Sequence, residues 1–442
     1  MAIDTTFGNG RYEFRIDDEE GDGDYFDAVH MVHQKMLQEM DMKSIEKLDT
    51  EHATEAVTVA ARQMVLQTYP SLLGDDRERV IKRVIDEAIG YGPIQPLIED
   101  DNVSEVMVNA PEEIYYERDG ILYLSSLRFK DGTHIMRIVE RIIAPLGRRV
   151  DESSPYVDAR LPDGSRVNIV IPPLVPRSPT VTIRKFRREK FKIDDLIGNG
   201  TMTEETAEFM LACVRQRLNI VISGGTGTGK TTLLNALSSA IPNSERIISI
   251  EDPIEMRLQQ PHVIAMEARP PNIEGRNEIA QRDLVRNALR MRPDRIIIGE
   301  VRSAEAFDML QAMNTGHEGS LTTVHANSPR DAVIRIENMV MMAGFDLPVR
   351  TIREQIASAI HVIVQIARFS DGRRRIVQVT EVTGREGDMV STQDLFEFNQ
   401  RGLDDKGRVM GDLRPTGIVP SFADEFALSG ISLAAMGFGM QG

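Results

Sequence analysis

The spacing of apolar residues changes three times along the 442-residue chain. The first pattern repeats apolar positions every three or four residues, as amphipathic helices do, over residues 25–39, 50–68 and 75–89. In the third of these stretches Val80 and Val84 fall on one face. Because the turns between the stretches are short, residues 25–90 are predicted to form a helical bundle. Residues 1–24 are acidic and lack the pattern, which predicts a disordered N-terminal segment.

Short alternating strands replace the helical pattern from position 91. The predicted strands cover residues 103–109, 114–117, 165–170 and 180–184. An amphipathic helix is expected over residues 135–146. We therefore predict a smaller α/β domain over residues 91–184, and the basic run that follows predicts a linker over residues 185–198.

Strands and helices then alternate over residues 199–384, a pattern typical of a mostly parallel sheet covered by helices. The apolar runs that predict its strands begin at Asn219, Arg246, Arg295, Ser320, His361 and Arg375. Residues 385–442 are polar and Gly-rich, which predicts a C-terminal tail that lies over the surface or docks on a neighbour. The chain as a whole is thus predicted to be an α/β protein with a bundle, a smaller domain and a larger domain.

Charge and cysteine content narrow the possible functions. The net charge is −16, which argues against broad nucleic-acid binding because that needs a basic field. Cys213 is the only cysteine, so intrachain disulfides and a four-cysteine zinc site are excluded. No apolar run is long enough to span a bilayer, and the acidic start does not resemble a signal peptide. Direct membrane insertion is therefore not expected, and membrane contact would need a partner.

The larger predicted domain contains a phosphate-binding loop. Residues 224–232 fit G-x-x-x-x-G-K-[ST] between an apolar strand and a helix. In such a loop glycines let main-chain N–H groups approach phosphate, the lysine faces the β- and γ-phosphates, and the hydroxyl that follows suits Mg²⁺. We predict that ATP and Mg²⁺ bind here. The predicted nucleotide-binding residues are Gly224, Gly225, Thr226, Gly227, Thr228, Gly229, Lys230, Thr231 and Thr232.

Candidate catalytic side chains follow three later strands of this domain. Glu251 and Glu300 each come at the carboxyl end of an apolar strand, where ligands collect in parallel α/β sheets. Either carboxylate could position or deprotonate the attacking water, and we favour Glu300 as the more essential of the two. Thr231 and Glu300 are predicted to contact the metal. His325 ends a third strand and could sense the γ-phosphate by hydrogen bonding. His317 is a weaker candidate.

Phosphoryl transfer often uses an arginine from a neighbouring domain or subunit. Arg160 and Arg166 lie on an exposed hairpin of the predicted smaller domain, and Arg184 lies on a later strand. Considered singly, each of these arginines would be interpreted as an ordinary surface charge.

The order of these segments resembles that of the type II/type IV secretion ATPases, and most of all the tight-adherence (Tad) pilus assembly ATPases, the CpaF/TadA group. Residues 92–100, 103–109 and 160–168 are similar to that group's N-terminal domain. The resemblance implies a RecA-like P-loop domain, a homo-hexamer, and a site between N- and C-terminal domains completed by Arg160, Arg166 and Arg184. It also implies platform partners at the cytoplasmic face of the inner membrane.

The resemblance favours a motor that hydrolyses ATP to power pilus assembly or secretion, and it leaves open whether the same motor also retracts the pilus. The absence of a cysteine zinc motif leaves retraction motors and conjugative secretion ATPases as near alternatives. A nucleotide-dependent scaffold that hydrolyses ATP too slowly for work is a second class of function. A nucleic-acid translocase is a third, which the acidic charge disfavours.

Overall fold

The computed structural model describes residues 14–16, 25–40, 50–118, 121–186, 191–269, 276–405 and 407–438. Two compact units make up the chain, Met1–Arg188 and Glu189–Gly442. The boundary between them falls inside residues 185–198, where the sequence predicts a linker. The acidic run at residues 18–24 lies outside the described residues.

The first unit begins with the helices that the apolar spacing predicts. They are α1 (Phe26–Glu39), α2 (Thr50–Thr68) and α3 (Gly74–Ala88). Val32 from α1, Val65 from α2 and Val84 from α3 are fully buried in one shared cluster. The helices therefore form a bundle whose core is made by the predicted apolar faces.

A seven-stranded sheet forms the rest of the first unit. Its strands are β1 (Phe14–Ile16), β2 (Val103–Ala110), β3 (Glu113–Arg118), β4 (Ile121–Leu124), β5 (Tyr156–Arg160), β6 (Arg166–Val170) and β7 (Thr180–Arg184), in the order β1-β4-β3-β2-β7-β6-β5. The helices beside it are α4 (Gln95–Glu99) and α5 (Gly132–Ile143). Ile135, Ile138 and Ile142 of α5 bury against the sheet. The expectation of disorder over residues 1–24 is wrong for Phe14–Ile16, because β1 pairs in parallel with β4.

The second unit contains the sheet that the alternating pattern predicts. Its strands are β8 (Ile220–Ser223), β9 (Ile247–Glu251), β10 (Val263–Glu267), β11 (Arg295–Val301), β12 (Leu321–Val324), β13 (Val362–Arg368), β14 (Arg374–Glu386), β15 (Met389–Leu403) and β16 (Val409–Pro415). The order is β10-β9-β11-β12-β8-β13-β14-β15-β16, with parallel pairs from β10 to β13 and antiparallel pairs beyond.

Helices and two apolar clusters cover both faces of the second sheet. The helices are α6 (Ile193–Gly198), α7 (Glu204–Arg215), α8 (Lys230–Ser238), α9 (Gln281–Ala288), α10 (Glu305–Asn314), α11 (Pro329–Met342), α12 (Val349–Ala359) and α13 (Ala423–Leu428). Ile220 and Ile222 point to one cluster and Val221 to the other. Continuous apolar strands are expected where both faces are buried. None of the helices in the described ranges is long and apolar enough to cross a bilayer.

The end of the chain belongs to the core of the second unit. β15 and β16 extend the sheet, and Phe396, Phe426 and Phe438 are buried around Phe209 of α7. The expectation that residues beyond 384 lie over the surface is therefore wrong for these aromatic side chains. They complete the apolar cluster on the α7 face of the sheet.

Candidate nucleotide-binding and hydrolysis site

The phosphate-binding loop connects β8 to α8 at the carboxyl edge of the second sheet. A Cβ added at Gly224 would lie 2.5 Å from the carbonyl oxygen of Ile366, so no larger residue fits without movement. Gly229 has φ +96°, a conformation that side chains rarely adopt, immediately before the first residue of α8. The loop thus presents main chain at a helix N-terminus, which is the arrangement that binds phosphate.

Lys230 lies over this loop. Its Nζ donates to the carbonyl oxygen of Gly225 at 2.9 Å, and the Thr228 hydroxyl donates to the same oxygen at 2.9 Å. Burial lowers the pKa of Lys230, whereas the carboxylates of Glu300 and Glu255 act in the opposite direction. An ammonium held against a glycine-rich loop is suited to binding a phosphate chain and to its hydrolysis.

Glu300 follows the apolar part of β11. Its Oε2 accepts from Arg302 Nη2 at 2.7 Å, and its side chain is about a quarter exposed, at 26%. This hydrogen bond is the main reason why the pKa of the Arg302 guanidinium is raised. Glu300 is therefore partly exposed to water, with the Arg302 guanidinium beside it.

Glu251 ends β9 but is only 2% exposed. Its Oε2 accepts main-chain N–H groups of Glu255 at 2.7 Å and Met256 at 2.9 Å, while Oε1 has no hydrogen-bond partner. Burial raises the pKa of this carboxyl. A Cβ at Gly299 on the neighbouring strand would lie 2.9 Å from Cγ of Glu251, so glycine at that position makes room for this side chain.

The two candidate histidines lie at opposite ends of β12. His325 follows the last residue of the strand, and burial is the main cause that lowers its pKa, with Lys230 and Arg335 adding to it. It is thus a neutral imidazole at pH 7, able to donate and accept hydrogen bonds. His317 precedes the strand, and its carbonyl oxygen accepts from the Ser320 hydroxyl at 2.8 Å. Only His325 lies at the carboxyl edge, with the phosphate loop.

The three predicted arginines lie in the first unit, whereas the other candidates lie in the second. Cross-strand pairing places Arg160 opposite Arg166 and Arg166 opposite Arg184, so the three form one row across β5, β6 and β7. Glu105 of β2 continues the row, and its Oε1 lies 3.8 Å from Arg184 Nε. The sequence could not show this row because strand register decides it.

The candidates predicted from the sequence do not include a fourth arginine, Arg374. Its Nε donates to the carbonyl oxygen of Gly227 in the phosphate loop at 2.9 Å. It also lines a cavity of about 490 Å³ beside Gly229 and Thr232, together with apolar residues such as Leu196 and Ile366. Ligand sites of this size are mostly apolar with a few placed polar groups. The hairpin sequence carries no signal of this long-range contact.

Comparison with known proteins identifies the family. Residues 87–408 match the model of the type II/IV secretion system protein family. The chain belongs to this family. A Mycobacterium tuberculosis protein named for conjugal transfer is 36% identical over 349 residues, which cover 77% of this chain and 98% of that protein. Conjugal transfer protein TrbB of Rhizobium radiobacter is 31% identical over 69% of this chain and 91% of its own length.

Two solved structures are similar to parts of this chain. The VirB11 ATPase of Brucella suis is 28% identical over 65% of this chain and 94% of its own, with a TM-score of 0.36. The pilus retraction motor PilT is 22% identical over 64% of this chain and 80% of its own, with a TM-score of 0.48. The family assignment rests on the sequence matches. As a member of this family with an intact phosphate loop, the chain is an ATP hydrolase.

Proposed function

We propose that this chain is the ATP-driven motor of a pilus-assembly or secretion machine of the tight-adherence type. It would act as a homo-hexamer at the cytoplasmic face of the inner membrane, on a platform partner. The observation that carries the proposal is the carboxyl edge of the second sheet, where Lys230 after β8, Glu300 of β11 and His325 after β12 follow neighbouring parallel strands. Segments of the first unit that resemble the tight-adherence group support the finer assignment.

In the proposed reaction a water oxygen attacks the γ-phosphorus of ATP. The bond from the γ-phosphorus to the bridging oxygen breaks, ADP leaves with the electron pair, and the water proton passes to a carboxylate. We assign that carboxylate to Glu300, because a general base must touch the water and Glu300 is accessible while Glu251 is buried. Lys230 binds the β- and γ-phosphates, and His325 hydrogen-bonds the γ-phosphate.

The donor set fits a magnesium ion that arrives with the nucleotide. Across the described ranges no group of three His, Cys, Asp or Glu side chains could hold a metal by itself. Mg²⁺ in such sites uses one or two protein ligands together with substrate phosphates. Thr231 in the first turn of α8 and Glu300 would supply those ligands, and the ion would neutralise charge on the phosphates.

The arginine row of the first unit is proposed to stabilise the transferring phosphoryl group. Three guanidinium groups in register concentrate positive charge on one face of the sheet. Arginines supplied to a phosphate from another domain or subunit accelerate transfer strongly. Mixed hexamers that contain Arg160→Ala and Arg166→Ala subunits should lose turnover; intact turnover would remove the row from the site.

ATP turnover by wild type and Lys230→Ala tests the central claim. We expect the variant to lose at least about a hundredfold in kcat, because the ammonium stabilises charge that develops in the transition state. The same fold in both proteins should be checked by circular dichroism. Equal rates would refute the hydrolase function, and nucleotide binding without turnover in wild type would support the scaffold alternative.

The conjugal transfer relatives favour a second candidate machine, a conjugative secretion system. Deletion of the gene in its source organism separates the two. Loss of surface filaments with DNA transfer retained supports the pilus motor, and the reverse result supports the conjugative machine. Complementation with Lys230→Ala should fail in either case.

A further inference from the structure

Gln365 is a buried amide in the apolar strand β13. Its neighbours Val364 and Ile366 are buried apolar residues, and Gln365 itself is only 4% exposed. Its Nε2 donates to the carbonyl oxygen of Ala326 at 3.2 Å, whereas its Oε1 has no hydrogen-bond partner among the residues that the structure describes. A buried acceptor that is left unpaired costs free energy. Stability alone would therefore favour an apolar side chain at this position, so the bond to Ala326 calls for another explanation.

Ala326 directly follows His325, the residue proposed to bond the γ-phosphate. Three parallel strands end at the same level here, because Val324 of β12 pairs with Ser223 of β8, and Ser223 pairs with Gln365 of β13. The Ser223 hydroxyl also donates to the carbonyl oxygen of Ala326, at a longer distance of 3.5 Å. Gln365 lies nearer to that oxygen, and it fixes the chain one residue after His325.

The same segment of β13 supports the phosphate loop. A Cβ at Gly224, the first glycine of the loop, would meet the carbonyl oxygen of Ile366, so the main chain of β13 lies against the loop. The pairing of β13 with β14 changes register between Gln365 and Ile366. Irregularities of this kind are frequent beside active sites, where they redirect a side chain. Two consecutive residues of β13 therefore contact the phosphate loop and the turn after β12.

We propose that Gln365 is a positioning residue, which holds His325 at the γ-phosphate through the carbonyl group of Ala326. The proposal rests on the proposed ATP hydrolysis, and it adds a residue that does not touch the nucleotide. An amide suits this role because it donates to a carbonyl oxygen without placing a charge in the core. Without this bond the turn after β12 is held less firmly, and His325 loses its alignment with the γ-phosphate. The loss falls on turnover, whereas ADP, which has no γ-phosphate, binds as before.

Apolar substitutions of Gln365 separate positioning from stability. Gln365→Leu removes the donor together with the unpaired acceptor, and we expect at least about a tenfold loss in kcat because small misplacements of reacting groups are costly. The Kd for ADP should change by less than about twofold, and the urea midpoint of unfolding should stay equal or rise. Gln365→Met, which keeps an unbranched side chain, should behave in the same way. Turnover assays, titration calorimetry and urea unfolding measure the three quantities.

A double-mutant cycle with His325 tests how Gln365 acts. His325→Ala should lower kcat by at least about tenfold, and Gln365→Leu added to it should lower kcat by less than about a further twofold, since both act through one contact. Gln260→Leu is the matched control. Gln260 is another buried glutamine, and its Nε2 donates to the carbonyl oxygens of Ser238 and Ile241 at the end of α8 away from the phosphate loop. This variant should retain at least about half of the turnover.

The outcomes that overturn the proposal are distinct. Retained turnover in both Gln365→Leu and Gln365→Met would remove Gln365 from the site. Equal losses from Gln365→Leu in the wild-type and His325→Ala backgrounds would show that it does not act through His325. A lower urea midpoint with weaker ADP binding would assign it a purely structural role. Failure of the proposed function looks different, since wild type would then show no turnover that Lys230→Ala removes.

Discussion

Two adjacent arginines, Arg374 and Arg375, have separate roles. Arg375 is buried and lies over the rings of Phe369 and Phe398, each at 5.4 Å. Arg374 bonds the phosphate loop through Gly227. Successive side chains of a strand point to opposite faces, so neighbours with the same chemistry meet different surroundings. Only the folded sheet separates the two and places one of these charges at the phosphate loop.

Arg374→Ala is expected to weaken nucleotide binding. The substitution removes a charge-assisted bond to the loop and a cation at the cavity beside it, so the Kd for ADP should rise about tenfold. Titration calorimetry measures the change. Arg385→Ala is the matched control, because that arginine of the same strand bonds the carbonyl of Gly387 in a turn at 2.9 Å. Equal effects of the two substitutions would exclude a specific role for Arg374.

At the scale of elements, the parallel strands were the most predictable part. Their predicted starts lie within one residue of β8, β9, β11, β12 and β13, because buried strands are continuous apolar runs. The predicted start of the antiparallel strand β14 is equally close. β10 was missed since its five residues are only partly buried or exposed. β15 and β16 were missed because their many polar residues resemble a tail, although Leu395 and Phe396 are fully buried.

Substitutions in the helix α13 test whether that tail belongs to the core. Phe426 is fully buried, with its ring 6.2 Å from that of Phe209, so Phe426→Ala should lower the free energy of unfolding by about 3–5 kcal/mol. Leu428, two residues later, is 90% exposed, and Leu428→Ala should change it by less than about 0.5 kcal/mol. Urea unfolding of both variants measures the difference. Similar values for the two would mean that the tail does not share the core.

Asp86 in the bundle helix α3 should make the free energy of unfolding of the first unit depend on pH in an unusual way. Burial raises the pKa of Asp86 from 3.8 to about 7, and Arg83 Nη1 lies 3.8 Å away. Because the pKa is raised, the folded state still holds the proton at pH values where the unfolded state has released it. The cost of ionising Asp86 in the folded state lowers the free energy of unfolding fully above about pH 7 and not at all below about pH 4. Asp86→Asn should therefore stabilise by about 2–4 kcal/mol at alkaline pH.

The gain from Asp86→Asn should shrink as the pH falls toward the ordinary pKa of the carboxyl. Urea unfolding of wild type and variant across this pH range checks the trend. Asp76→Asn, at an exposed position of the same helix, should cost only a few tenths of a kcal/mol at every pH. A gain that is constant with pH would show that the carboxyl of Asp86 is not the source.

For the whole molecule, the net charge bears on whether this ATPase acts on nucleic acid. Relatives named for conjugal transfer raise the question of DNA, yet this chain carries 68 acidic against 52 basic side chains. Non-specific binding to DNA depends on release of counterions by clustered lysine and arginine, and a net charge of −16 opposes approach of a polyanion.

We therefore expect single-stranded DNA neither to bind wild type at about 0.15 M salt nor to raise its ATP turnover. Fluorescence anisotropy with a labelled oligonucleotide measures the first, and turnover with and without DNA measures the second. Binding that strengthens steeply as salt is lowered, together with stimulated turnover, would instead favour a nucleic-acid translocase, because a local basic surface such as the arginine row would then overcome the overall charge.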